Sequence, residues 1–410
     1  MNQKLLGIGS VDDFNKVVAK IQSEEGYKPP QAFAIGLAHI GKSGKVLSVL
    51  YPHVNLNENF GTAAIFNEVV KTLFLPKSIN SGGASLYVIL ESGEIDALLT
   101  AFKPFEGDSK EHLNIDAVKA VNGMSRKMRP YDGIVVPMIV FIYDLQLPPQ
   151  SAVDAYLRLA LMSYRKVQPN TVNLDGIFKL LTNNAWTVEE GPVEYEHFPK
   201  LNMEYMATKG RPLTIRLIDM FPPMTDLAWP SGVRICNPLM IRMGAHLAHG
   251  TTQMPYGYSN MNAGTLGKVL IEGNIPMGVT VDEGSDVGAG SGFLGTLSGG
   301  NKTKISVGKN CLNGAHAECG IPLGDNVYID LGLCFTGNTP VKVIEWEKHD
   351  DGRFLTGPDN KPVVKSTKVV KASELSGISN VTFRRNSLNG AIEVIPVPSK
   401  STLNDMLHIS

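Results

Sequence analysis

A six-residue repeat in the second half of the chain constrains the fold more than any other sequence feature. Between Val281 and Thr339, an apolar or small residue returns at every sixth position, and Gly or Asn follows three residues after most of them. The period is interrupted once, by residues 295–304. The repeating positions are Val281, Val287, Phe293, Ile305, Cys311, Ala317, Leu323, Ile329 and Phe335.

A period of six residues matches neither the α-helix, with about 3.6 residues per turn, nor strand alternation, with a period of about 2. It is typical of a parallel β-helix, in which each side is a short strand whose leading residue points inward. Each corner requires a positive φ angle, which Gly adopts without strain and Asn tolerates. Three hexads then close one triangular coil, so the sequence predicts a parallel β-helix.

The same period continues upstream in a different phase, from Ile235 to Met277, with less apolar leading residues. The phase changes by four residues between Met277 and Val281, shortly after residues 270–274. Loops that leave the corners of a solenoid often carry function. We therefore expect irregular or partly open coils upstream and a functional corner near the change of phase.

The remaining sequence predicts a mainly β protein with additional regions around the β-helix. Predicted strands at 32–40 and 134–143 alternate with predicted helices, and a helix begins near Ser151. Turns at 350–352 and 389–390 indicate β-hairpins. Four regions are predicted: an N-terminal α/β domain (1–145), a helical connecting region (146–230), the parallel β-helix (231–342) and a small C-terminal β region (343–410).

Composition excludes several functional classes. The 410 residues carry a formal net charge of −1, so no basic field favours nucleic acid. The longest apolar run, residues 134–143, is too short to span a bilayer. No charged-then-apolar leader opens the sequence, and the four cysteines lack paired spacing, so we expect a cytoplasmic protein with reduced cysteines and no membrane partner.

Glu272 is the candidate for acid–base chemistry. It is the one charged residue in the run 269–276, beside the change of phase. A carboxylate in an apolar cleft has its pKa raised and can act as a general base near neutral pH. The alternative is a solvated glutamate at a corner, which the residues alone favour. Asp282, Glu283 and Asp286 are interpreted as solvated corner residues.

Histidines and basic residues supply the other candidates. His246, His249 and His316 do not occupy equivalent places in successive coils, so no metal site is predicted. The run Arg384-Arg385-Asn386-Ser387 combines two guanidinium groups with amide and hydroxyl groups, a set suited to phosphate oxygens. The loop residues 299–302 could act similarly as a flap. The alternative for the basic run is a solvated face, and the alternative for the loop is a plain insertion.

The motifs resemble the tetrahydrodipicolinate N-succinyltransferases of diaminopimelate and lysine biosynthesis, in the branch typified by actinobacterial and pseudomonad enzymes. The resemblance covers roughly residues 150 to 395. It rests on the ordered motifs Gly244-Ala245-His246-Leu247-Ala248, Asn262-Ala263-Gly264-Thr265, Ile271-Glu272-Gly273, Gly284-Ser285-Asp286-Val287-Gly288, Gly295-Thr296-Leu297-Ser298-Gly299-Gly300 and Phe383-Arg384-Arg385-Asn386-Ser387.

This resemblance implies a homotrimer of left-handed parallel β-helices with active sites between subunits. It implies succinyl transfer from succinyl-CoA to the amino group of L-2-amino-6-oxopimelate, the hydrated form of tetrahydrodipicolinate, with no tightly bound cofactor. Glu272 would be the catalytic carboxylate, as a general base or as the site of an acyl anhydride. The positions that would contact succinyl-CoA are Asn274, Ala289, Gly292, Ala315, Asp330, Leu331, Asn338, Lys371, Arg384, Arg385, Asn386 and Ser387.

Two departures from the family pattern bear on these expectations. Asn274 stands where relatives often carry Arg, so a salt bridge from this position to succinyl-CoA is not expected. Leu239 and Tyr256 stand where some relatives carry acidic residues that hold magnesium on the trimer axis, so that metal site is not expected. Two alternative functions remain open: an acetyl-CoA-dependent N-acetyltransferase on the same scaffold, and a non-catalytic hexapeptide-repeat scaffold.

Overall fold

The computed structural model describes residues 5, 7–73, 83–107, 110–122, 127–128, 133–295 and 303–397. The chain forms two compact units. Unit 1 comprises Met1–Val167, Thr171–Pro222 and Asp226–Ala228, and unit 2 comprises Gln168–Asn170, Pro223–Thr225 and Trp229–Ser410. No helix among the described residues is long and apolar enough to cross a membrane.

Unit 1 begins with a six-stranded sheet whose main path is β2-β1-β6-β4, while β3 pairs with β1 and β5 with β6. All of these pairs are antiparallel. The strands are β1 (Ala32–Ile40), β2 (Val46–Leu50), β3 (Asn55–Leu56), β4 (Ser85–Ile89), β5 (Lys127–Met128) and β6 (Ile134–Ile142). The predicted strands at 32–40 and 134–143 are therefore confirmed.

Helices pack their apolar residues against this sheet, around a core that contains Phe33, Phe66 and Phe141. The first helix begins after Ser10, whose Oγ accepts a hydrogen bond from the Asp13 backbone N–H at 3.2 Å and so satisfies one of the unpaired donors of the first turn. The helices of this layer are α1 (Val11–Gln22), α2 (Phe60–Leu73), α3 (Ser92–Phe102) and α4 (Leu113–Val121).

The rest of unit 1 contains a three-stranded antiparallel sheet in the order β8-β7-β9 and further helices. The helix that follows Ser151 is almost wholly buried, and inside it the Arg158 Nε donates to the Asp154 Oδ1 at 2.7 Å. The elements are α5 (Ala152–Ser163), α6 (Ile177–Leu180) and α7 (Phe198–Lys209), with β7 (Asn184–Thr187), β8 (Gly191–Glu194) and β9 (Ile215–Asp219). The short helix α8 (Met224–Leu227) has residues in both units.

Unit 2 is the predicted parallel β-helix, left-handed as the resemblance implies, and its short strands form three parallel sheets. One face stacks β10-β12-β15-β18-β21-β23, a second β11-β14-β17-β20, and a third β13-β16-β19-β22-β24. The strands are β10 (Arg234–Ile235), β11 (Ala245–His246), β12 (Thr252–Gln253), β13 (Tyr258–Ser259), β14 (Ala263–Thr265), β15 (Leu270–Ile271), β16 (Asn274–Ile275), β17 (Thr280–Val281), β18 (Asp286–Val287), β19 (Gly292–Phe293), β20 (Ser306–Val307), β21 (Leu312–Asn313), β22 (Glu318–Cys319), β23 (Val327–Ile329) and β24 (Cys334–Phe335).

The leading residues predicted between Val281 and Phe335 are all buried, but the predicted register is wrong in one coil. The ladders align Val281 with Val307, Val287 with Asn313 and Phe293 with Cys319. The residues in register therefore lie two positions after the predicted ones, Ile305, Cys311 and Ala317. Those three are buried as well, so the hydrophobic pattern could not reveal the shift.

The corners of this coil explain the error. The left-handed residues are Asn310, with φ of 54°, and His316, with φ of 56°, whereas Gly314 does not have a positive φ. A Cβ at Gly314 would lie 2.5 Å from the carbonyl oxygen of Ile329. Glycine is required there because the backbones approach closely, and not because the corner needs its dihedral freedom.

The upstream change of phase also lies elsewhere than predicted. Successive coils align Gln253 with Ile271 and Ser259 with Ile275. The interval between inward residues is therefore six in the earlier coil but four from Ile271 to Ile275. The shortened corner consists of Glu272 and Gly273, and the prediction of a phase change after Met277 is wrong.

The C-terminal strands extend the first face of the β-helix. β27 pairs in parallel with β23, and the Phe383 ring stacks on Phe335 with centroids 4.9 Å apart. The hairpins predicted at 350–352 and 389–390 are confirmed by the Lys348–Phe354 bridge and by the β27–β28 pairing. The strands are β25 (Pro340–Trp346), β26 (Val364–Lys371), β27 (Val381–Arg385) and β28 (Ile392–Pro396).

The chain also contains short 3-10 helices and free cysteines. All four cysteines are unpaired, as predicted: Cys311 and Cys319 are buried, and Cys236 and Cys334 are exposed. The 3-10 helices are Lys103–Phe105, Tyr195–His197, Pro238–Met240 and Ala372–Leu375.

Candidate functional site

Glu272 occupies the shortened corner between β15 and β16. Its backbone N–H donates to the carbonyl oxygen of Val287 at 2.8 Å, and its own carbonyl oxygen accepts from the N–H of Gly290 at 3.3 Å. A Cβ at the next residue, Gly273, would lie 2.3 Å from the carbonyl oxygen of Ser291, so only glycine fits at this point of the corner. The backbone of the next coil therefore fixes the position of Glu272.

The Glu272 side chain is partly exposed and is available to a ligand. Its carboxylate has no hydrogen-bond or ion-pair partner among the residues that the structure describes. A carboxylate held by a rigid corner, with its oxygens uncommitted, can accept a proton from a bound group.

Corners of successive coils stack on Glu272 and form one edge of the β-helix, here called the Glu272 edge. The carbonyl oxygen of Ala289 accepts from the N–H of His316 at 3.0 Å, and that of Ala315 accepts from the N–H of Gly332 at 2.8 Å. Each coil adds about 4.8 Å along the helix axis. The edge consists of Tyr256, Glu272, Ala289, Ala315, Asp330 and Leu331.

The edge continues into the C-terminal strands. The N–H of Asp330 donates to the carbonyl oxygen of Phe383 at 2.9 Å, so Arg384 follows directly at the next step. The structure thus places Glu272, Asp330 and Arg384 in one column of stacked residues. The predicted residues Ala289, Ala315 and Leu331 lie one residue further along the corners of the same edge. Tyr256 and Leu331 are 85% and 80% exposed, so apolar surface flanks this column.

Two predicted residues lie on the adjacent face. Asn274 and Gly292 are paired in β16 and β19, and Asn274 is exposed two residues after Glu272. Glu318 of the next strand covers Gly292, since its carboxylate oxygens lie 3.0 Å from the position a Gly292 Cβ would take. Burial raises the pKa of the Glu318 carboxyl. Sequence reasoning missed this residue, because nothing in its motif distinguishes it from a solvated charge.

Asn338 and Lys371 lie apart from the Glu272 edge. Asn338 follows β24, at the far end of the adjacent face, and Lys371 ends β26 beside it, where the N–H of Ala372 donates to the carbonyl oxygen of Thr339 at 2.9 Å. Lys371 is exposed, as are Lys365 and Lys368 on the same strand. The family resemblance grouped Asn338 and Lys371 with the other succinyl-CoA contacts. In the structure these two residues lie beside each other, on a different corner from the Glu272 edge.

Two members of the basic run at 384–387 bind a residue that sequence reasoning missed, the buried Glu393 on β28. Its carboxylate accepts hydrogen bonds from Arg384 and from Asn386, the latter at 2.8 Å. Burial raises the pKa of Glu393, but the hydrogen bonds from Asn386 and Arg384 outweigh it and lower the pKa below its usual value. Arg385 and Ser387 remain exposed.

No group of three or more His, Cys, Asp or Glu residues among the described residues could hold a metal ion. His246 lies in β11, where its Nδ1 is 2.8 Å from the carbonyl oxygen of Thr265, and His316 forms a corner. Leu239 and Tyr256 are exposed and offer no carboxylate. The predicted flap at 299–302 lies outside the described residues.

Comparisons with known proteins agree with this architecture. Residues 12–179 match the model of the tetrahydrodipicolinate N-succinyltransferase N-terminal domain, and 181–222 match the middle domain of the same family. Residues 304–336 match the hexapeptide repeat of succinyl-transferase.

Individual relatives cover most of the chain. A 2,3,4,5-tetrahydropyridine-2,6-dicarboxylate N-succinyltransferase from Sulfurovum sp. is 35% identical over 98% of this chain and 99% of its own length. The protein of that name from Vibrio cholerae is 42% identical over 66% of this chain and 74% of its own. A solved structure from Campylobacter jejuni, described as a 2,3,4,5-tetrahydropyridine-2-carboxylate N-succinyltransferase, is 34% identical with a TM-score of 0.80, and covers 95% of this chain and 98% of that one.

Proposed function

The chain belongs to the tetrahydrodipicolinate N-succinyltransferase family, and from this premise we propose that it transfers the succinyl group of succinyl-CoA to the amino group of L-2-amino-6-oxopimelate. The products are N-succinyl-2-amino-6-oxopimelate and CoA, in diaminopimelate and lysine biosynthesis. The observation that supports this assignment best is the uncommitted carboxylate of Glu272 at the shortened corner.

In the general-base route, Glu272 removes a proton from the substrate nitrogen while that nitrogen attacks the thioester carbonyl carbon. The C–N bond forms, the carbonyl oxygen carries the negative charge, and the tetrahedral intermediate collapses with cleavage of the C–S bond. The CoA thiolate leaves and takes up a proton. Since a thioester is already activated, the protein has to position the amine and accept one proton. In favourable cases positioning lowers the activation free energy by roughly 7–11 kcal/mol. Proton transfer to a general base raises the rate by ~10²–10⁴-fold.

A second route gives Glu272 a covalent role. Its carboxylate attacks the thioester, releases CoA and forms a mixed anhydride, which the amine then opens. The two routes differ when the amine is left out. The anhydride route predicts one equivalent of CoA released per site and an acyl-enzyme that hydroxylamine intercepts, whereas the general-base route predicts neither.

The Glu272 edge is the proposed track for the CoA arm. From Glu272 to Arg384 there are four coil steps, or about 19 Å at the usual strand spacing. That length suits an extended pantetheine arm, with the thioester at Glu272 and the phosphates near Arg385. The small side chains of Ala289 and Ala315 leave the arm close to the backbone.

A backbone donor for the oxyanion lies one coil from Glu272. The N–H of Ala289 donates no hydrogen bond to any residue that the structure describes. Such a preorganised donor stabilises the charge that develops on the carbonyl oxygen. We assign Ala289 this role; Ala289→Pro, which removes the N–H, should lower kcat more than it raises KM.

Specificity for succinyl over acetyl requires a donor for the distal carboxylate. The exposed amide of Asn274, two residues after Glu272, is the proposed donor. The deciding experiment measures thiol release with succinyl-CoA and with acetyl-CoA, at several concentrations of the amino substrate. A higher kcat/KM with acetyl-CoA would replace the proposal by the N-acetyltransferase alternative, and turnover of neither would favour a non-catalytic scaffold.

The family relationship further supports a cytoplasmic homotrimer with active sites between subunits. Light scattering on the purified chain tests the assembly: a mass of three chains is expected, and a monomer that is fully active would contradict sites shared between subunits.

A further inference from the structure

A cavity of about 510 Å³ in unit 1 has no part in the proposed reaction. Its volume lies in the usual range for small-molecule sites. It is lined by the first turns of α2 and α4, by α1, by the end of α3 and by Lys166, all within unit 1. The lining combines an aromatic cluster with a group of charged and amide side chains.

One side is aromatic. The rings of Phe14 and Phe105 are 4.9 Å apart in an edge-to-face arrangement, and those of Phe14 and Phe102 are 5.9 Å apart. Such a cluster presents a large apolar surface with defined geometry to anything that enters. A purely polar ligand would leave that surface without a partner.

The other side carries charges of both signs. The Lys166 Nζ lies 2.5 Å from the Glu58 Oε1, and Glu111 is a second, exposed carboxylate in the lining. The pKa of His53 is lowered by burial and by Lys166, while Glu58, Asn55 and Glu111 oppose the shift. Its imidazole is therefore mostly neutral at neutral pH and can donate or accept a hydrogen bond.

The polar side is held in place by buried amides. Asn55 and Asn114 exchange side-chain hydrogen bonds at 2.8 and 2.9 Å, and Asn59 donates to Asn55 at 2.8 Å. Asn57 and Asn59 have positive φ angles of 50° and 54°, a conformation that is uncommon outside glycine. Backbone strain of this kind concentrates at ligand sites, where surrounding contacts enforce it.

We propose that this cavity binds a free L-α-amino acid with an apolar side chain. The ammonium pairs with Glu111 and Glu58, the carboxylate with Lys166, and the side chain packs on the three phenylalanines. The N-terminal turns of α2 and α4 line the cavity, and the positive ends of their helix dipoles further favour the carboxylate. A phosphate ester fits less well, because its negative charges would face two carboxylates and gain only one cation.

Isothermal titration with L-phenylalanine tests the site on the full-length protein. Saturable binding is expected, with loss of binding for phenethylamine, which lacks the carboxylate, and for 3-phenylpropionate, which lacks the ammonium. L-leucine, L-methionine and L-tyrosine extend the panel. Absence of saturable binding for all four amino acids overturns the proposal, as does equal binding of phenethylamine.

Substitutions of two lining residues test whether the amino acid binds in this cavity. Lys166→Gln and Glu111→Gln should each weaken L-phenylalanine binding at least about tenfold, as expected when one charge pair of a ligand is removed from a partly enclosed site. The matched control is Lys179→Gln, which changes a lysine in a separate cavity of about 630 Å³ in the same unit. Because Glu111 is exposed, its variant tests the site even if Lys166→Gln unfolds. Unchanged affinity in Glu111→Gln, or a loss in Lys179→Gln, places the ligand elsewhere and overturns the proposal.

Discussion

The buried carboxylate of Glu393 accepts two hydrogen bonds from the guanidinium of Arg384, from Nε at 3.2 Å and from Nη2 at 3.0 Å. Arg384 and its neighbour Arg385 look equivalent in sequence, but this contact gives them different tasks. Arg384 neutralises a carboxylate that is 2% exposed, whereas Arg385 is exposed and donates to the carbonyl oxygen of Gly390.

Replacement of the two arginines should therefore give different results. Arg385→Ala should raise KM for succinyl-CoA by up to about fivefold, the effect of losing an exposed charge contact of less than about 1 kcal/mol, and the effect should shrink as salt rises. Its melting temperature should not change. Arg384→Ala should instead lower the melting temperature by about 2–4 °C, since it leaves Glu393 with weaker partners.

Steady-state kinetics at low and high salt, together with thermal melts of both variants, check this difference. If Arg385→Ala lowers the melting temperature as much as Arg384→Ala, the division of roles is wrong. If KM for succinyl-CoA stays at the wild-type value in Arg385→Ala at low salt, Arg385 does not contact the ligand.

Glu272→Gln should reduce kcat by ~10²-fold or more, because the amide cannot accept the substrate proton. The melting temperature should be unchanged, since the carboxylate makes no hydrogen bond or ion pair with the described residues. The control is Glu283→Gln, which removes an exposed carboxylate from the same β-helix. Retention of more than about a tenth of wild-type turnover in Glu272→Gln would rule out the general-base role.

Glu318→Gln should change how stability depends on pH. Burial raises the pKa of this carboxyl above its usual value of 4.5, so the folded state binds the proton more tightly than the unfolded chain. The stabilisation is complete below the unfolded pKa and is lost as pH rises through the folded pKa.

The Gln variant lacks this loss, so its stability relative to the wild type should improve with rising pH. Urea unfolding at a series of pH values measures the difference, with Glu283→Gln as the exposed control. A constant difference between Glu318→Gln and wild type across the acid range would show that the two states bind this proton equally.

Val307→Asp should prevent stable folding, whereas Ser306→Asp should be tolerated. The two residues are neighbours in β20, but Val307 is 4% exposed inside the coil and Ser306 faces outward. An unpaired carboxylate in the interior costs several kcal/mol, which is comparable to the roughly 5–15 kcal/mol that stabilises a folded protein. Circular dichroism and gel filtration compare the two variants, and a cooperatively melting Val307→Asp protein would refute the register.

The sequence by itself determined the architecture, because a coil repeats the same steric requirement at every turn. An apolar residue must enter the core at each strand and a residue tolerant of positive φ must form many corners, so the repeat at Val281, Val287 and Ile329 appears directly in the sequence. Local capping and turn chemistry likewise predicted the helix that begins after Ser151 and the hairpin with its turn at residues 389–390. Glu272 stood out because its run is otherwise uncharged.

Tertiary structure alone decided the register and the partners of the charged side chains. Asn313 enters the core in the place of an aliphatic residue, since its Nδ2 donates to the carbonyl oxygen of Gly292 at 2.9 Å, and so the hydrophobic pattern placed the coil two residues too early. Arg384 meets Glu393 only when β27 pairs with β28, and Glu318 covers Gly292 only when successive coils stack. Such contacts join residues that are distant along the chain, and a sequence pattern carries information about position within a coil but not about which coil lies beside it.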